Sequence, residues 1–227
     1  MTDVSDAPLE TARHALSYVK DGQTLGLGSG RASAAFVEVL GERVRAGLRV
    51  RGVPTSNATA ELATRVGVPL VTLEQAGELD VAFDGADEVD PRLDCIKGYG
   101  GALVREMIVA ASARRFVVLV GAEKLVSRLG ERGKIPVEIV PYALPLCRRR
   151  LESLGLEPVV RKHPKGDVYV TDNGNWILDC GTGSIPDATR LEREIRVLPG
   201  VVGTGLFLGM ANVVVVQDGN KVRVMER

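Results

Sequence analysis

An apolar run, Leu79 to Phe83, stops abruptly at Asp84, and Asp87, Glu88 and Asp90 follow around the small pair Gly85-Ala86. A strand without polar alternation is buried on both faces, and such strands belong to parallel sheets covered by helices on each side. At their carboxyl ends they hand polar side chains to the crevice where ligands bind. This stretch therefore restricts the chain to an α/β design with a site at the end of a buried strand. An aromatic content of 4% and 26 glycines fit that design, which needs many tight strand-to-helix turns.

The chemistry continues to Ala110. Beyond Lys97 the chain turns through Gly98, Gly100 and Gly101 and enters a helical pattern, Ala102, Leu103, Ile108 and Val109, that carries Arg105 and Glu106. Lys97 and Glu106 flank a turn whose glycines let the backbone approach a ligand closely. Carboxylates at a strand end, a lysine, and a glutamate in the first turns of a helix form an acid-base and oxyanion-stabilising set. The plain alternative is a turn with solvated acids and a surface ion pair.

Upstream, Leu9 to Lys20 has helical spacing and ends at Asp21-Gly22. Thr24 to Leu27 is a short strand running into Gly28-Ser29-Gly30-Arg31-Ala32-Ser33, and Ala34 to Leu40 resumes a helix. Strand, glycine-rich turn and helix N-terminus together make an anion site, because free N–H groups and the helix dipole converge there. The dinucleotide fingerprint is not met. Arg31 or Ser33 stands at the third glycine's place, and the next strand, Leu48 to Val53, ends in Pro54-Thr55-Ser56-Asn57 with no acid for a ribose hydroxyl. The pattern argues against a nicotinamide cofactor, and Arg31 argues for a phosphate held directly. Thr55 and Ser56 open a helix through Ala58, Leu62 and Ala63 to Val66, either as a plain N-cap or, with Thr59, as a second set of ligand hydroxyls. Pro69 to Leu73 and Phe116 to Val120 read as further strands, and Gly121-Ala122-Glu123-Lys124 leads into a helix ending near Gly130. Lys124 stands at that junction, in reach of a ligand or of solvent.

From Gly133 the pattern changes. Ile135 to Val140, the helical Tyr142 to Leu154 and Glu157 to Lys162 form a strand-helix-strand unit, after which Asp167 to Thr171 and Trp176 to Cys180 flank the turn Asp172-Asn173-Gly174-Asn175. A helix, Asp187 to Leu198, and a strand, Val201 to Phe207, complete a ferredoxin-like α+β pattern. Residues 133–206 are thus expected as a smaller domain inserted in an α/β domain made of 1–132 and 207–227. Asn212 to Val216 and Lys221 to Met225 form a hairpin that rejoins the open, mostly parallel, Rossmann-like main sheet.

Lys plus Arg equals Asp plus Glu, 29 of each, so no global field draws the chain to nucleic acid or to an anionic membrane. The longest apolar stretches are far too short to span a bilayer, and the polar start MTDVSDAPLE is not a signal peptide. Cys95, Cys147 and Cys180 cannot pair completely and lack metal-ligand spacing, which fits a reducing, cytoplasmic setting. His14 and His163 lie far from the acids in sequence, so neither a metal centre nor a serine-histidine nucleophile finds support beyond Asp84, Asp87 and Glu88 as holders of Mg²⁺. What remains is an anion cradle, a second cation and three carboxylates. They suit a phosphorylated polyol or sugar.

The chain resembles ribose-5-phosphate isomerase type A over nearly its whole length. The resemblance rests on Asp84-Gly85-Ala86-Asp87-Glu88, on Lys97-Gly98-Tyr99-Gly100-Gly101-Ala102-Leu103-Val104-Arg105-Glu106, on Pro136-Val137-Glu138-Ile139-Val140-Pro141, on Thr171-Asp172-Asn173-Gly174-Asn175 and on Pro199-Gly200-Val201-Val202, in that order and spacing. It implies interconversion of D-ribose 5-phosphate and D-ribulose 5-phosphate in the pentose phosphate pathway, without metal or cofactor. It implies Glu106 as the base that shuttles a proton between C1 and C2, with Asp84, Asp87 and Lys97 assisting ring opening and stabilising the enediolate. Ser29, Gly30, Arg31, Ala32, Ser33, Ser56, Thr59 and Lys124 fall on phosphate and substrate contacts, and Gly85, Ala86, Gly98 and Gly100 line the same segments. A homodimer or homotetramer is implied, with the inserted domain taking part in assembly.

Two positions depart from the family pattern. The usual Thr-Gly-Ser-Thr-Ala loop is here Ser29-Gly30-Arg31-Ala32-Ser33, which loses a hydroxyl at Ala32 and gains a guanidinium at Arg31. Tyr99 replaces a glycine in Lys-Gly-Gly-Gly, and its side chain must point away from the ligand or cover it. Two other function classes compete with the isomerase: a sugar-phosphate sensor without chemistry, and an acyl-transfer enzyme with a glutamate nucleophile.

Overall fold

The apolar run does form a strand, Leu79–Gly85, in the structure, a computed structural model that describes residues 7–219 and 221–227. In chain order the strands begin with Thr24–Leu27 (β1), Arg51–Pro54 (β2), Leu79–Gly85 (β3), Glu88–Val89 (β4), Cys95–Ile96 (β5), Ala113–Gly121 (β6) and Lys134–Ile139 (β7). They continue with Glu157–Val160 (β8), Trp176–Gly181 (β9), Val201–Thr204 (β10), Leu206–Phe207 (β11), Val213–Asp218 (β12) and Lys221–Glu226 (β13). The helices are Ala7–Ala15 (α1), Arg31–Arg45 (α2), Asn57–Val66 (α3), Leu73–Ala76 (α4), Leu103–Ala111 (α5), Leu144–Ser153 (α6) and Ala188–Arg196 (α7).

The chain divides into two units, the first comprising residues up to Ala86, 105–125 and 210–227, the second 87–104 and 126–209. The second is larger than the expected 133–206 insert, because β4 and β5 join β11 in a small three-stranded sheet. In the first unit a six-stranded sheet runs in the order β13-β12-β6-β3-β1-β2, parallel throughout except for the hairpin partner β13. Alternation along the strands sends Leu25, Leu27, Val81, Phe83, Val117, Leu119, Val213 and Val215 into one core with Phe36 and Leu40 of α2. Phe36 and Phe83 stack there with ring centroids 4.1 Å apart. On the opposite face Gly26 lets α5 approach, since a Cβ at that position would lie 2.5 Å from Val109 Cγ1. Strand β1 feeds β2 on one side, and the chain then crosses to β3 on the other. The junction of β1 and β3 is therefore the topological switch point of the sheet.

The second unit holds an antiparallel sheet in the order β10-β7-β9-β8 with α6 and α7 packed on one core of Val137, Ile139, Leu178, Cys147, Leu151 and Ile195. Strand, helix, two strands, helix and strand in this order give the ferredoxin-like topology that the periodicity predicted.

Four expected elements differ in detail. Pro69 to Leu73 makes one bridge, Leu70 to Gly52, because proline has no N–H for a ladder and the capping box of Thr72 and Gln75 starts α4 at once. The helix expected after Lys124 is a single 3₁₀ turn, Ala122–Lys124, since Leu125 is extended and the N–H of Val126 is taken by the carbonyl of Val89. Asp167 to Thr171 forms only isolated bridges, Val168 with Lys162 and Val170 with Trp176. The strand Val201 to Phe207 is broken at Gly205, so β10 joins β7 and β11 joins β5.

Gly205 is where the chain leaves one sheet of the second unit for the other. Its N–H donates to the Pro136 carbonyl at 2.7 Å, and its own carbonyl accepts the Lys97 N–H at 2.9 Å. A Cβ would overlap the Lys97 carbonyl oxygen and lie 2.8 Å from Pro136 Cδ. Backbone atoms cannot yield as a side-chain tip can. Gly205→Ala is expected to destabilise the protein by about 2 kcal/mol or more, a fall of roughly 4–8 °C in Tm by calorimetry. An unchanged Tm would show that the two strands can part without cost.

Candidate active site

In the first unit the chemistry gathers at the carboxyl ends of the parallel strands. Asp84, at the end of β3, is buried at 2% exposure. Its Oδ1 accepts hydrogen bonds from the Ser29 N–H (3.1 Å), the Ser33 hydroxyl (2.9 Å) and the Gly85 N–H (2.8 Å). Three donors on one oxygen fix the carboxyl group and compensate its loss of water. Close backbone approach makes this possible, for a Cβ on Gly28 would overlap the Asp84 carboxylate. The glycine-rich loop after β1 thus meets the acid of β3 across the switch point. Two of its donors are already engaged by Asp84.

Next to it, the Ser29 hydroxyl lies 2.8 Å from Thr55 Oγ1, 2.8 Å from Ser56 Oγ and 3.2 Å from Thr59 Oγ1. Ser56 caps α3 by accepting the Thr59 N–H at 3.1 Å, and Thr59 donates to the Gly28 carbonyl at 2.9 Å. Capping and hydroxyl clustering are therefore the same arrangement. Thr55, buried at 1%, belongs to this cluster, as one of the hydroxyls that the sequence offered either for a cap or for a ligand. The signal was its place beside Ser56 at the end of β2.

Gly30, at φ 88°, precedes α2, and Arg31 is its exposed first residue. The first N–H groups of a helix have no partner within it, so this end offers donors to an anion. Lys124 sits half-buried on the 3₁₀ turn that follows β6. Glu106 lies in α5 at 4% exposure, one residue beyond Arg105, which donates to Asn57 Oδ1 at 3.2 Å.

The second unit holds Asp87, Lys97, Gly98 and Gly100. Lys97 is 2% exposed, with its Nζ 5.4 Å from the centroid of the Phe207 ring. The Tyr99 N–H donates to Asp87 Oδ2 at 3.0 Å. The Tyr99 ring is taken up within this unit. Its hydroxyl donates to the Lys134 carbonyl at 3.2 Å, and Lys134 Nζ stands 4.7 Å from the ring centroid. Burial, aided by the charges of Glu88, Asp87 and Asp179, pushes the phenol up to about 12, so Tyr99 stays neutral. Glu88 is not placed for a cation: its oxygens accept the N–H groups of Gly130 (2.6 Å) and Arg132 (2.8 Å). Among the described residues no group of three or more His, Cys, Asp or Glu side chains stands where it could hold a metal ion, and no helix is long and apolar enough to cross a membrane.

The chain is similar to known proteins over nearly its whole length. The family model for ribose 5-phosphate isomerase A (phosphoriboisomerase A) matches residues 51–221. The ribose-5-phosphate isomerase A of Roseiflexus sp. (strain RS-1) is 52% identical over 207 residues, 90% of this chain and 89% of the relative. The solved ribose 5-phosphate isomerase A of Methanocaldococcus jannaschii matches with a TM-score of 0.94 at 42% identity, covering 99% of this chain and 100% of that one. A D-ribose-5-phosphate isomerase in complex with phospho-erythronic acid matches with a TM-score of 0.96 at 36% identity over 100% of both chains. With an α/β sheet whose switch point carries a fixed aspartate, and with these likenesses over nearly its full length, the chain belongs to the ribose 5-phosphate isomerase A family, the isomerases that interconvert ribose 5-phosphate and ribulose 5-phosphate.

Proposed function

We propose that the reaction runs through an enediolate with the Glu106 carboxylate as the base. In the open-chain aldose, Glu106 removes the proton from C2, the C–H electron pair forms the C1–C2 double bond, and negative charge passes to the C1 oxygen. A proton moves from O2 to O1, and Glu106 returns its proton to C1, leaving the ketone at C2. The observation that carries this reading is the burial of Glu106 at 4% exposure in the first turns of α5. A carboxylate withdrawn from bulk water on the motif that carries the family resemblance is a candidate general base. Asp84, Asp87 and Lys97 are assigned on the resemblance to assisting ring opening and stabilising the enediolate. The likeness to an isomerase that holds phospho-erythronic acid supports this, since a carboxylate imitates the planar oxygen pair of an enediolate.

For phosphate and substrate contacts we assign Ser29, Gly30, Arg31, Ala32, Ser33, Ser56, Thr59 and Lys124, which lie on the turns and first helical residues that follow β1, β2 and β6. Gly85, Ala86, Gly98 and Gly100 are assigned as backbone lining. Arg31 replaces a hydroxyl residue of the usual family loop, and its exposed guanidinium at the start of α2 adds a bidentate grip on phosphate.

We also assign a self-association face to the second unit. Tyr142 is 97% exposed, and Val197, Val140 and Val202 are exposed around β10, the edge strand of its sheet. Exposed apolar side chains on and next to an edge strand suit a second copy of the same chain. All three cysteines are buried free thiols, which supports a reducing compartment, the cytoplasm.

Three outcomes are expected. Glu106→Gln should lower kcat on the order of a hundredfold or more with KM little changed, measured by NMR in D₂O with ribose 5-phosphate; near-normal turnover would remove Glu106 as the base. Arg31→Ala should raise KM about three- to tenfold, with the wild-type advantage shrinking at high salt; an unchanged KM would leave Arg31 as a surface residue. Light scattering of Tyr142→Glu should show a shift toward the 24.2 kDa chain mass, whereas an unshifted oligomer would put the interface elsewhere.

A further inference from the structure

Arg161, just beyond β8, holds the glycine-rich loop of the second unit by its backbone. Its Nη1 donates to the carbonyls of both Gly98 (2.9 Å) and Tyr99 (3.0 Å). The other edge of the same guanidinium grips Asp179, Nε to Oδ2 at 3.0 Å and Nη2 to Oδ1 at 2.5 Å. Lys134 Nζ pairs with the same Oδ2 of Asp179 at 3.1 Å. Tyr169 adds a third hold, its hydroxyl donating to the Gly100 carbonyl at 3.4 Å. It also fills the space that a Cβ on Gly101 would need. Three successive carbonyls of the loop are thereby fixed.

The Arg161 side chain is 10% exposed and that of Asp179 17%. Burial opposes ionisation of Asp179, but the hydrogen bonds and charges of Arg161 and Lys134 prevail and keep its carboxyl below the ordinary carboxylate range. A buried ion pair adds little net stability over an apolar pair of the same shape. What an apolar pair cannot do is bind two carbonyls on one side while anchored on the other. The loop needs such a hold, because Gly98 (φ 100°) and Gly101 (φ 91°) adopt the left-handed region open chiefly to glycine, and such residues lose the most freedom on ordering. Lys97 directly precedes this segment, and the Tyr99 N–H within it binds Asp87.

We infer that Arg161, anchored by Asp179, is a positioning residue for the isomerase reaction: it fixes the Gly98 and Tyr99 carbonyls and so the direction in which Lys97 presents its ammonium group. This rests on the assignment of Lys97 to the enediolate. Neither Arg161 nor Asp179 touches the substrate in this role. Tyr99 joins the same device, its ring clasped by Lys134.

The test is a double-mutant cycle on the full-length enzyme with ribose 5-phosphate. Arg161→Lys keeps the charge but loses the planar fork, and should lower kcat about ten- to a hundredfold while KM moves by less than about threefold. In a Lys97→Met background the same substitution should cost no further turnover, because Arg161 acts through Lys97. Equal losses in both backgrounds would overturn the inference and leave Arg161 a purely structural residue. An unchanged kcat in the single variant would overturn it too. If Arg161→Lys does not fold, judged by its Tm, Asp179→Asn carries the same cycle, since it keeps the shape and removes the anchoring charge. Lys97→Met alone examines the underlying assignment: wild-type turnover there removes Lys97 from the chemistry whatever Arg161 does, whereas loss of turnover with an additive cycle refutes only the clamp.

Discussion

The site in the first unit depends on the fit of one buried carboxylate against one backbone turn. Asp84 ends the apolar strand β3, out of reach of bulk water, and a charge there is tolerated only where donors are already in place. Ser29, Ser33 and Gly85 supply them on a single oxygen. That requires the chain at Gly28 to come so near that no side chain can intervene. Sheet order makes the meeting possible, because β1 and β3 are neighbours with β2 on the far side of β1. The hydroxyls of Thr55, Ser56 and Thr59 then close around Ser29.

A comparable problem is solved in the second unit by different means. There the element to be fixed is a glycine-rich loop with few side chains to pack, so it is held through its carbonyls and through its junction with Gly205. The short strands β5 and β11 contribute two residues each, too few to be stable alone, and are sustained by the burial of Ile96, Leu206 and Phe207.

The two departures from the family pattern have different physical characters. Tyr99 is absorbed: its ring and hydroxyl are engaged by Lys134, and burial keeps the phenol neutral. Arg31 is presented: it stands exposed where helix α2 begins, at the positive end of the dipole. An arginine there adds positive charge where the helix end already favours an anion, an arrangement that stability alone would not select.

Much of this protein was legible in its amino-acid order. Strand burial, the ferredoxin-like periodicity between Ile135 and Phe207, the loop at Ser29 to Ser33 and the cap at Ser56 are local signals, set by alternation, turn chemistry and free helix ends. The five motifs from Asp84 to Val202, in their order and spacing, together pointed to the family. Tertiary structure alone decided that Ser29 and Ser33 serve Asp84, that residues 201–207 split between two sheets at Gly205, that Lys124 ends a single turn instead of starting a helix, and that Arg161 reaches the loop after Lys97. The reason is common to all four. Each is decided by a hydrogen bond to, or a close approach of, backbone far away in sequence, and a backbone carbonyl or N–H is the same group at every position, so no residue pattern announces which one will be met.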